Sequence, residues 1–369
     1  MDAKKFHLPR KHYFLSHSVG AQPKSYDDAV SRAYAQPWRT EGFNVWTPWF
    51  EALDVFKAGL SPIHGAHAND LCPQPNVSSG VSKILFSLPE RKGRNKIVLT
   101  EDDFPTVGFA LEQGKRMGYE LVFLPGGERL ADPDAWARAF ADDVQLVVAT
   151  QVYSNTSVLA PVAEIAARAR AAGVYSLVDA AQAAGAIPLN LNQWRPDFAL
   201  GTSLKYLCGG TGAAWLWANP DCATTFEPRD VGWFSHEDPF EFDIHHFDYA
   251  SGAARFTGGT PSIAPLAGAA AGHEIINAHG IEAIHAHNQA LLSRLFGALP
   301  AKSFLSTTRP GARGSAALIK VRDYDRAAAA LAAAGVAHDT RKGAVRISVH
   351  LYNDESDIDA LVEAIGPHL

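Results

Sequence analysis

Between about residues 70 and 250, short β-rich runs alternate with helical ones, and this alternation constrains the chain more than any other feature. KIVLT at 96–100 reads as a strand and 107–117 as a helix. ELVFL at 120–124 is again a strand. Asp132 is placed to cap a helix over 133–141 that opens on Pro133. VQLVVAT at 144–150 predicts a strand, and 161–172 an Ala-rich helix stopped by Gly173. YSLVD at 175–179 and the run 198–202 predict two more strands. Such alternation predicts right-handed βαβ crossovers and a mainly parallel sheet. AAWLWA at 213–218 predicts a further strand, running back beside Lys205.

The flanks differ. Residues 1–60 carry Pro9, Pro23, Pro37 and Pro48 among Trp38, Trp46 and Trp49. They read as an irregular segment wrapped over another surface. A small-residue stretch over 258–280 leads into helix. From about 285 the pattern is helix, strand (317–321), helix (324–334), strand (345–349) and helix (355–365), with Gly366 and Pro367 as the stop. That predicts a compact α+β unit. The expected organisation is an N-terminal segment (1–60), a large α/β domain (61–280) and a small C-terminal α+β domain (281–369). A chain of 369 residues, 47% of them hydrophobic, can bury cores for both domains.

Charge and cysteine content exclude several classes. The net charge is -6 and no basic block occurs, so neither nucleic acid nor an anionic membrane surface is an expected partner. No run reaches the roughly 20 apolar residues of a membrane span. Cys72, Cys208 and Cys222 are odd in number and match neither a disulfide framework nor a zinc cluster. Residues 1–10 are polar and basic, with no apolar core behind them. These features predict a cytoplasmic protein.

Chemistry concentrates at the predicted strand ends. Asp179 closes one strand and Lys205 follows the next, in Thr202-Ser203-Leu204-Lys205-Tyr206. Ligands of open α/β sheets sit beyond the carboxyl ends of strands. A lysine in an apolar site loses ammonium basicity and gains nucleophilicity. Upstream, the predicted loop Pro73-Gln74-Pro75-Asn76-Val77-Ser78-Ser79-Gly80 leads into a helix over 81–88, the type of helix N-terminus that binds phosphate. Phe104, after the strand 96–100, could stack on a planar ring.

Longer motifs add a resemblance. Lys205-Tyr206-Leu207-Cys208-Gly209-Gly210-Thr211-Gly212 resembles the lysine and glycine-rich turn of class-V, fold-type-I pyridoxal-phosphate (PLP) enzymes. Val231-Gly232-Trp233-Phe234-Ser235-His236 resembles the Gly-Trp-Trp/Phe-Gly-His motif of kynureninases in that class. Val345-Arg346-Ile347-Ser348 with Leu351-Tyr352-Asn353 resembles their C-terminal signature, and Gly335-Val336 and Asp339-Thr340-Arg341 also fit. The resemblance spans roughly 70–365.

It implies an α/β fold with a mainly parallel seven-stranded sheet in a large domain, plus a small C-terminal α+β domain. It implies pyridoxal 5'-phosphate as cofactor and Lys205 as catalytic Schiff-base lysine and proton shuttle. Asp179 would pair with the pyridinium nitrogen, worth roughly 4 kcal/mol at about 4 Å and an effective dielectric of about 20. Phe104 would stack on the ring. Ser78 and Ser79 would hold the phosphate, with Gln182, Trp233 and Thr260 as further cofactor contacts. Arg346 would clamp the substrate carboxylate, a bidentate task suited to arginine. An amino-acid substrate and a homodimer with the site at its interface are also implied. The kynureninase pattern breaks at three places: Leu204 stands where a Tyr precedes the lysine, Gln182 where a His follows the Asp, and Gly259-Thr260 where Ser-Asn precedes Pro.

The leading expectation is a PLP enzyme of the class-V aminotransferase, kynureninase-like group that acts on an α-amino acid, with transamination, hydrolytic Cβ–Cγ cleavage and β-elimination all open; a β-elimination lyase of the same fold is the alternative. A desulfurase would need a late nucleophilic cysteine, and none follows Cys222. Gly210-Thr211-Gly212-Ala213-Ala214 is near a dinucleotide fingerprint but precedes a strand, the wrong context. Asp243, His245 and His246, or His285 and His287, read as surface polar residues, and no metal is expected. A non-catalytic regulator on this fold would not need Lys205, Asp179 and Arg346 together.

Overall fold

The computed structural model describes residues 2–369; Met1, the first residue of the N-terminal segment, lies outside them. Seven strands form the large sheet: β1 (Leu71–Gln74), β2 (Lys96–Thr100), β3 (Glu120–Leu124), β4 (Val144–Thr150), β5 (Tyr175–Asp179), β6 (Phe198–Thr202) and β7 (Ala214–Ala218). Their spatial order is β1-β7-β6-β5-β4-β2-β3. Strands β2 to β6 pair in parallel. Only β7 is reversed, pairing antiparallel with both β1 and β6. The carboxyl ends of the other six therefore share one edge.

Helices cover both faces, which is why β4 is buried at every residue and reads as an unbroken apolar run. Val98, Val147, Val178 and Ala199 point into one layer, with Phe56 and Leu60 of α1 (Trp46–His64). Ile97, Leu146, Leu177 and Leu200 point into the other, with Ile84 and Leu85 of α2 (Val77–Ser87). α3 (Pro105–Glu112) and α4 (Val162–Ala171) complete the crossovers.

Four local expectations need correction. The segment expected to be irregular contains α1. Pro48 sits in its first turn, where a missing N–H costs little, and Pro62 lies just before Gly65 ends it at φ +55°. Residues 73–80, expected as a loop, hold β1 and the start of α2. Pro73 hid β1, which tolerates it as an edge strand. α2 begins at Val77, not 81, because the Asn76 side chain accepts the Ser79 N–H and caps it. The helix expected at 107–117 begins at Pro105 and tightens into 3-10 turns after Glu112. Residues 133–140 are also 3-10 turns, opened by Asp132 as cap.

A second layer follows α5 (Ile263–His279) and α6 (Ile281–Ala298). β8 (Ala316–Ile319), α7 (Tyr324–Ala333), β9 (Asp339–Arg341), β10 (Ala344–Ser348) and α8 (Glu355–Ile365) build it. Its sheet is antiparallel in the order β8-β10-β9. Leu291, Leu295, Leu331 and Leu361 pack on Ala317, Val345 and Ile347. The chain start is stitched to this layer: His12 and Tyr13 pair with Val336 and Ala337, and Phe14 is buried in its core. β9 was not expected, since Asp-Thr-Arg carries no apolar alternation. Among the described residues, no helix is long and apolar enough to cross a membrane.

The segment after β6, which carries Lys205, is held by backbone contact. Gly185 adopts φ +91°, and a Cβ there would lie 2.7 Å from the Tyr206 carbonyl oxygen. A Cβ on Gly272 of α5 would lie 2.2 Å from the Leu207 oxygen. Alanine at 272 gains about 1 kcal/mol of helix propensity but must push backbone aside. We expect Gly272→Ala to lose about 1–3 kcal/mol net, read as a lower denaturant midpoint at unchanged slope. An unchanged or higher midpoint would mean that α5 does not clamp this segment.

Candidate active site

The shared strand edge opens into a cavity of about 310 Å³. Asp179 reaches it from the end of β5 and Lys205 from the segment after β6. Phe104 comes from the cap of α3 and Ser78 from the first turn of α2. The small sheet contributes Arg341 and Arg346, and the chain start contributes His17. Gln182, Thr150 and Leu204 also line it.

Asp179 is 4% exposed, and one carboxylate oxygen accepts the Ala181 N–H at 2.8 Å. Burial raises its pKa. Burial also pulls the Lys205 ammonium down to about 8; Asp179 opposes this, while Arg346 and Arg341 add to it. The Lys205 Nζ lies 5.6 Å from the Phe104 ring centre, within cation–π range. A lysine so held is a neutral amine for a large part of the time at mildly alkaline pH, as a nucleophile or base requires.

Arg346 is not free. Its Nε donates to Asp339 Oδ1 at 2.8 Å, its Nη2 to Asp339 Oδ2, and its Nη1 to the Ser154 carbonyl at 3.2 Å. Three of five N–H groups are used, so two remain for a ligand. Burial works to raise the Asp339 carboxyl, but hydrogen bonds from Arg346 and His17 outweigh it and hold it well below the usual range. His17 bridges Asp339 at 2.9 Å and Ser348 Oγ at 2.9 Å, and burial pushes its imidazole down to about 4. Arg341 also faces the cavity, and its Nε is buried with no hydrogen-bond partner among the described residues.

Of the residues singled out in sequence, Ser78, Phe104, Asp179, Gln182, Lys205 and Arg346 line this one cavity. The Gln182 amide is spent on the His17 carbonyl at 3.0 Å. Ser79 and Thr260 line a separate cleft of about 230 Å³. Trp233 donates its indole N–H to Thr260 Oγ1 at 3.1 Å and does not line the Lys205 cavity. Sequence reasoning gave no role to His17, Thr150, Asp339 or Arg341. Arg341 lay inside a matched motif, but His17 had no signal, being a lone histidine in a proline-rich segment.

The residues present fit PLP. α2 aims free N–H groups and the Ser78 hydroxyl at one end of the cavity, suited to a phosphate. The remaining Asp179 oxygen suits a protonated ring nitrogen, Phe104 a ring face, and the Lys205 amine an aldehyde. Fold and site together define a PLP-dependent enzyme of fold type I.

The family model "Aminotransferase class-V" matches residues 79–361. The chain belongs to the aminotransferase class-V family, and pyridoxal 5'-phosphate is its cofactor. It is 30% identical to the kynureninase of Deinococcus radiodurans over 270 residues, 71% of this chain but only 64% of that one, less than two thirds of its length. It is 24% identical to the uncharacterized aminotransferase YcbU of Bacillus subtilis over 343 residues, 92% of this chain and 90% of that one. Its fold matches that of the cystine C-S lyase C-DES in complex with its reaction product cysteine persulfide, at TM-score 0.87, 22% identity and 98% of each chain. These names span hydrolase, aminotransferase and lyase, so they define the family and not a branch within it.

The lowered Lys205 pKa gives a test. Imine formation between apoprotein and added PLP, followed by absorbance, should accelerate with pH through a midpoint near 8. Asp179→Asn removes the charge that raises this value, so the midpoint should fall further. A midpoint near the ordinary lysine value of about 10 would show that Lys205 is not the reacting amine.

Proposed function

We propose that the protein is a PLP-dependent β-elimination lyase acting on a small α-amino acid with a leaving group on its β-carbon. The observation that carries this reading is the poverty of acid–base groups in the cavity. Lys205 is brought near neutrality, while the imidazole that lines the cavity, His17, sits near 4 with both ring nitrogens engaged. Hydrolytic cleavage between Cβ and Cγ must also activate a water and protonate a carbanion. Elimination needs one base, which takes the α-proton and can return it to the leaving group. Bound PLP supplies the electron sink for the pair left at Cα. The likeness to C-DES supports a lyase over a transferase. The lack of any cysteine after Cys222 fits a product released rather than passed to an enzyme thiol.

In this reading Arg346 offers its two remaining N–H groups to the α-carboxylate, on a guanidinium fixed in plane by Asp339. Arg341 adds a second cation at the same end. Asp179 keeps the ring nitrogen protonated, and Phe104 covers one ring face. Ser79, Trp233 and Thr260 serve a phosphate across the interface of a cytoplasmic homodimer.

Incubation with β-substituted alanines such as cystine or β-chloroalanine should yield pyruvate and ammonium. Kynurenine should yield no anthranilate. Anthranilate formed at a comparable rate, or a keto acid formed only with an added amino acceptor, would overturn the lyase reading. Arg341→Gln should raise KM about 10-fold or more with kcat little changed, since it removes a charge-assisted hydrogen bond made equally in ground and transition states.

A further inference from the structure

The loop after Trp233 holds no helix or strand over 237–248, yet it is closed by an isolated bridge between His236 and Tyr249. Three side chains converge inside it. His236 Nε2 lies 2.6 Å from Glu241 Oε2, and His246 Nδ1 lies 2.9 Å from Glu241 Oε1. Their ligand atoms all fall within 4.8 Å of one another.

The far side of each imidazole is equally defined. His236 Nδ1 lies 2.7 Å from the Asp248 carbonyl oxygen, and His246 Nε2 lies 2.9 Å from the Asp248 carboxylate. A neutral imidazole has one N–H and one lone pair. Each inward nitrogen lies close enough to Glu241 to share a proton with it, and the Asp248 backbone N–H also reaches His236 Nδ1 at 3.1 Å. An ion that replaces those inner protons leaves the Asp248 oxygens to take the outer N–H of each ring and turns both lone pairs toward the ion. Metal-bound histidines are oriented in this way by backbone carbonyls and carboxylates.

We propose that His236, Glu241 and His246 bind a divalent transition ion of the zinc type, with Asp248 orienting both imidazoles. Two imidazole nitrogens and a carboxylate are a donor set suited to Zn²⁺. Ligand atoms about 2.0–2.1 Å from a tetrahedral ion stand roughly 3.3 Å apart, so Glu241 must withdraw by roughly 0.5 Å. Its side chain is 35% exposed and that of His246 51% exposed, which leaves room for this and for water at a fourth position. The set shares only His246 with the surface group noted in sequence: His245 is outside it, and Asp243 accepts the His245 backbone N–H instead. The ion staples a loop whose Phe240 and Phe242 rings lie 5.5 and 6.3 Å from Trp233. It therefore fixes the surroundings of the Trp233–Thr260 hydrogen bond.

The test is a titration of tag-free, chelator-stripped holoenzyme with Zn²⁺ alone against a chromophoric chelator. One tight equivalent per chain is expected. Co²⁺ in its place should give the visible absorption of a four-coordinate site. His246→Ala and Glu241→Gln should each abolish that equivalent, Asp248→Asn should weaken it about 10-fold, and His245→Ala should leave it intact. Cofactor absorbance and melting curves on each variant separate loss of fold from loss of a ligand. If the wild type takes up no saturable Zn²⁺, the cluster holds protons only and the proposal fails. It fails equally if the equivalent survives in the Glu241→Gln/His246→Ala double variant.

Discussion

The structure depends on a half-buried ammonium and a buried carboxylate brought to one cavity. Lys205 and Asp179 are both withdrawn from water, and each is driven toward its neutral form by burial and back toward its charged form by the other. Such groups are costly to withdraw from water singly, and each lessens the cost for the other. The sheet makes the pair possible. β5 and β6 are adjacent and parallel, with Asp179 registered against Leu200. Both chains therefore leave the sheet on the same edge, and a lysine just beyond Thr202 arrives on the same side as the aspartate. An antiparallel β6 would send Lys205 to the opposite edge. The reversed β7 adds no carboxyl end to this edge, but it fixes β1, which leads into the cap of α2.

A second charged network closes the site from the other layer. Arg346 and Asp339 come from the neighbouring strands β10 and β9, and His17 from the chain start, distant in sequence from both. Their bonds tie the small sheet and the N-terminal segment to the cavity that the large sheet builds. The network also sets electrostatics. Asp339 consumes much of the Arg346 charge, yet Arg346 and Arg341 together still depress Lys205. The cavity thus carries more positive than negative groups on its small-sheet side, which suits a carboxylate. Burial pushes the His17 imidazole down to about 4, and both its nitrogens are engaged, which makes it a weak base beside Lys205.

What the sequence made legible divides along local and non-local lines. The strands β2 and β4 to β7 were readable because burial on both faces leaves unbroken apolar runs, β3 because its residues are apolar although the edge strand is half exposed, and Asp179 and Lys205 because they end or follow such runs. Ser78, Phe104 and Arg346 followed from motifs. β1 and α1 were hidden by prolines whose positions, an edge strand and helix termini, cost little in context. β9 was hidden because its residues are polar and its pairing is supplied by β10. Asp339 lay inside a matched motif but carried no role there, while His17 was illegible for a different reason: its importance lies in a contact across 322 positions of chain, which no local pattern encodes. The same holds for the glycines at 185 and 272, whose small size is required by carbonyls that arrive from elsewhere. Local patterns thus report where a catalytic group leaves the sheet. The surroundings that tune it, here an arginine half-neutralised by Asp339 and a histidine silenced by burial, arise only when distant segments close on one another. Those surroundings, more than the lysine motif, carry the elimination reading proposed for this chain.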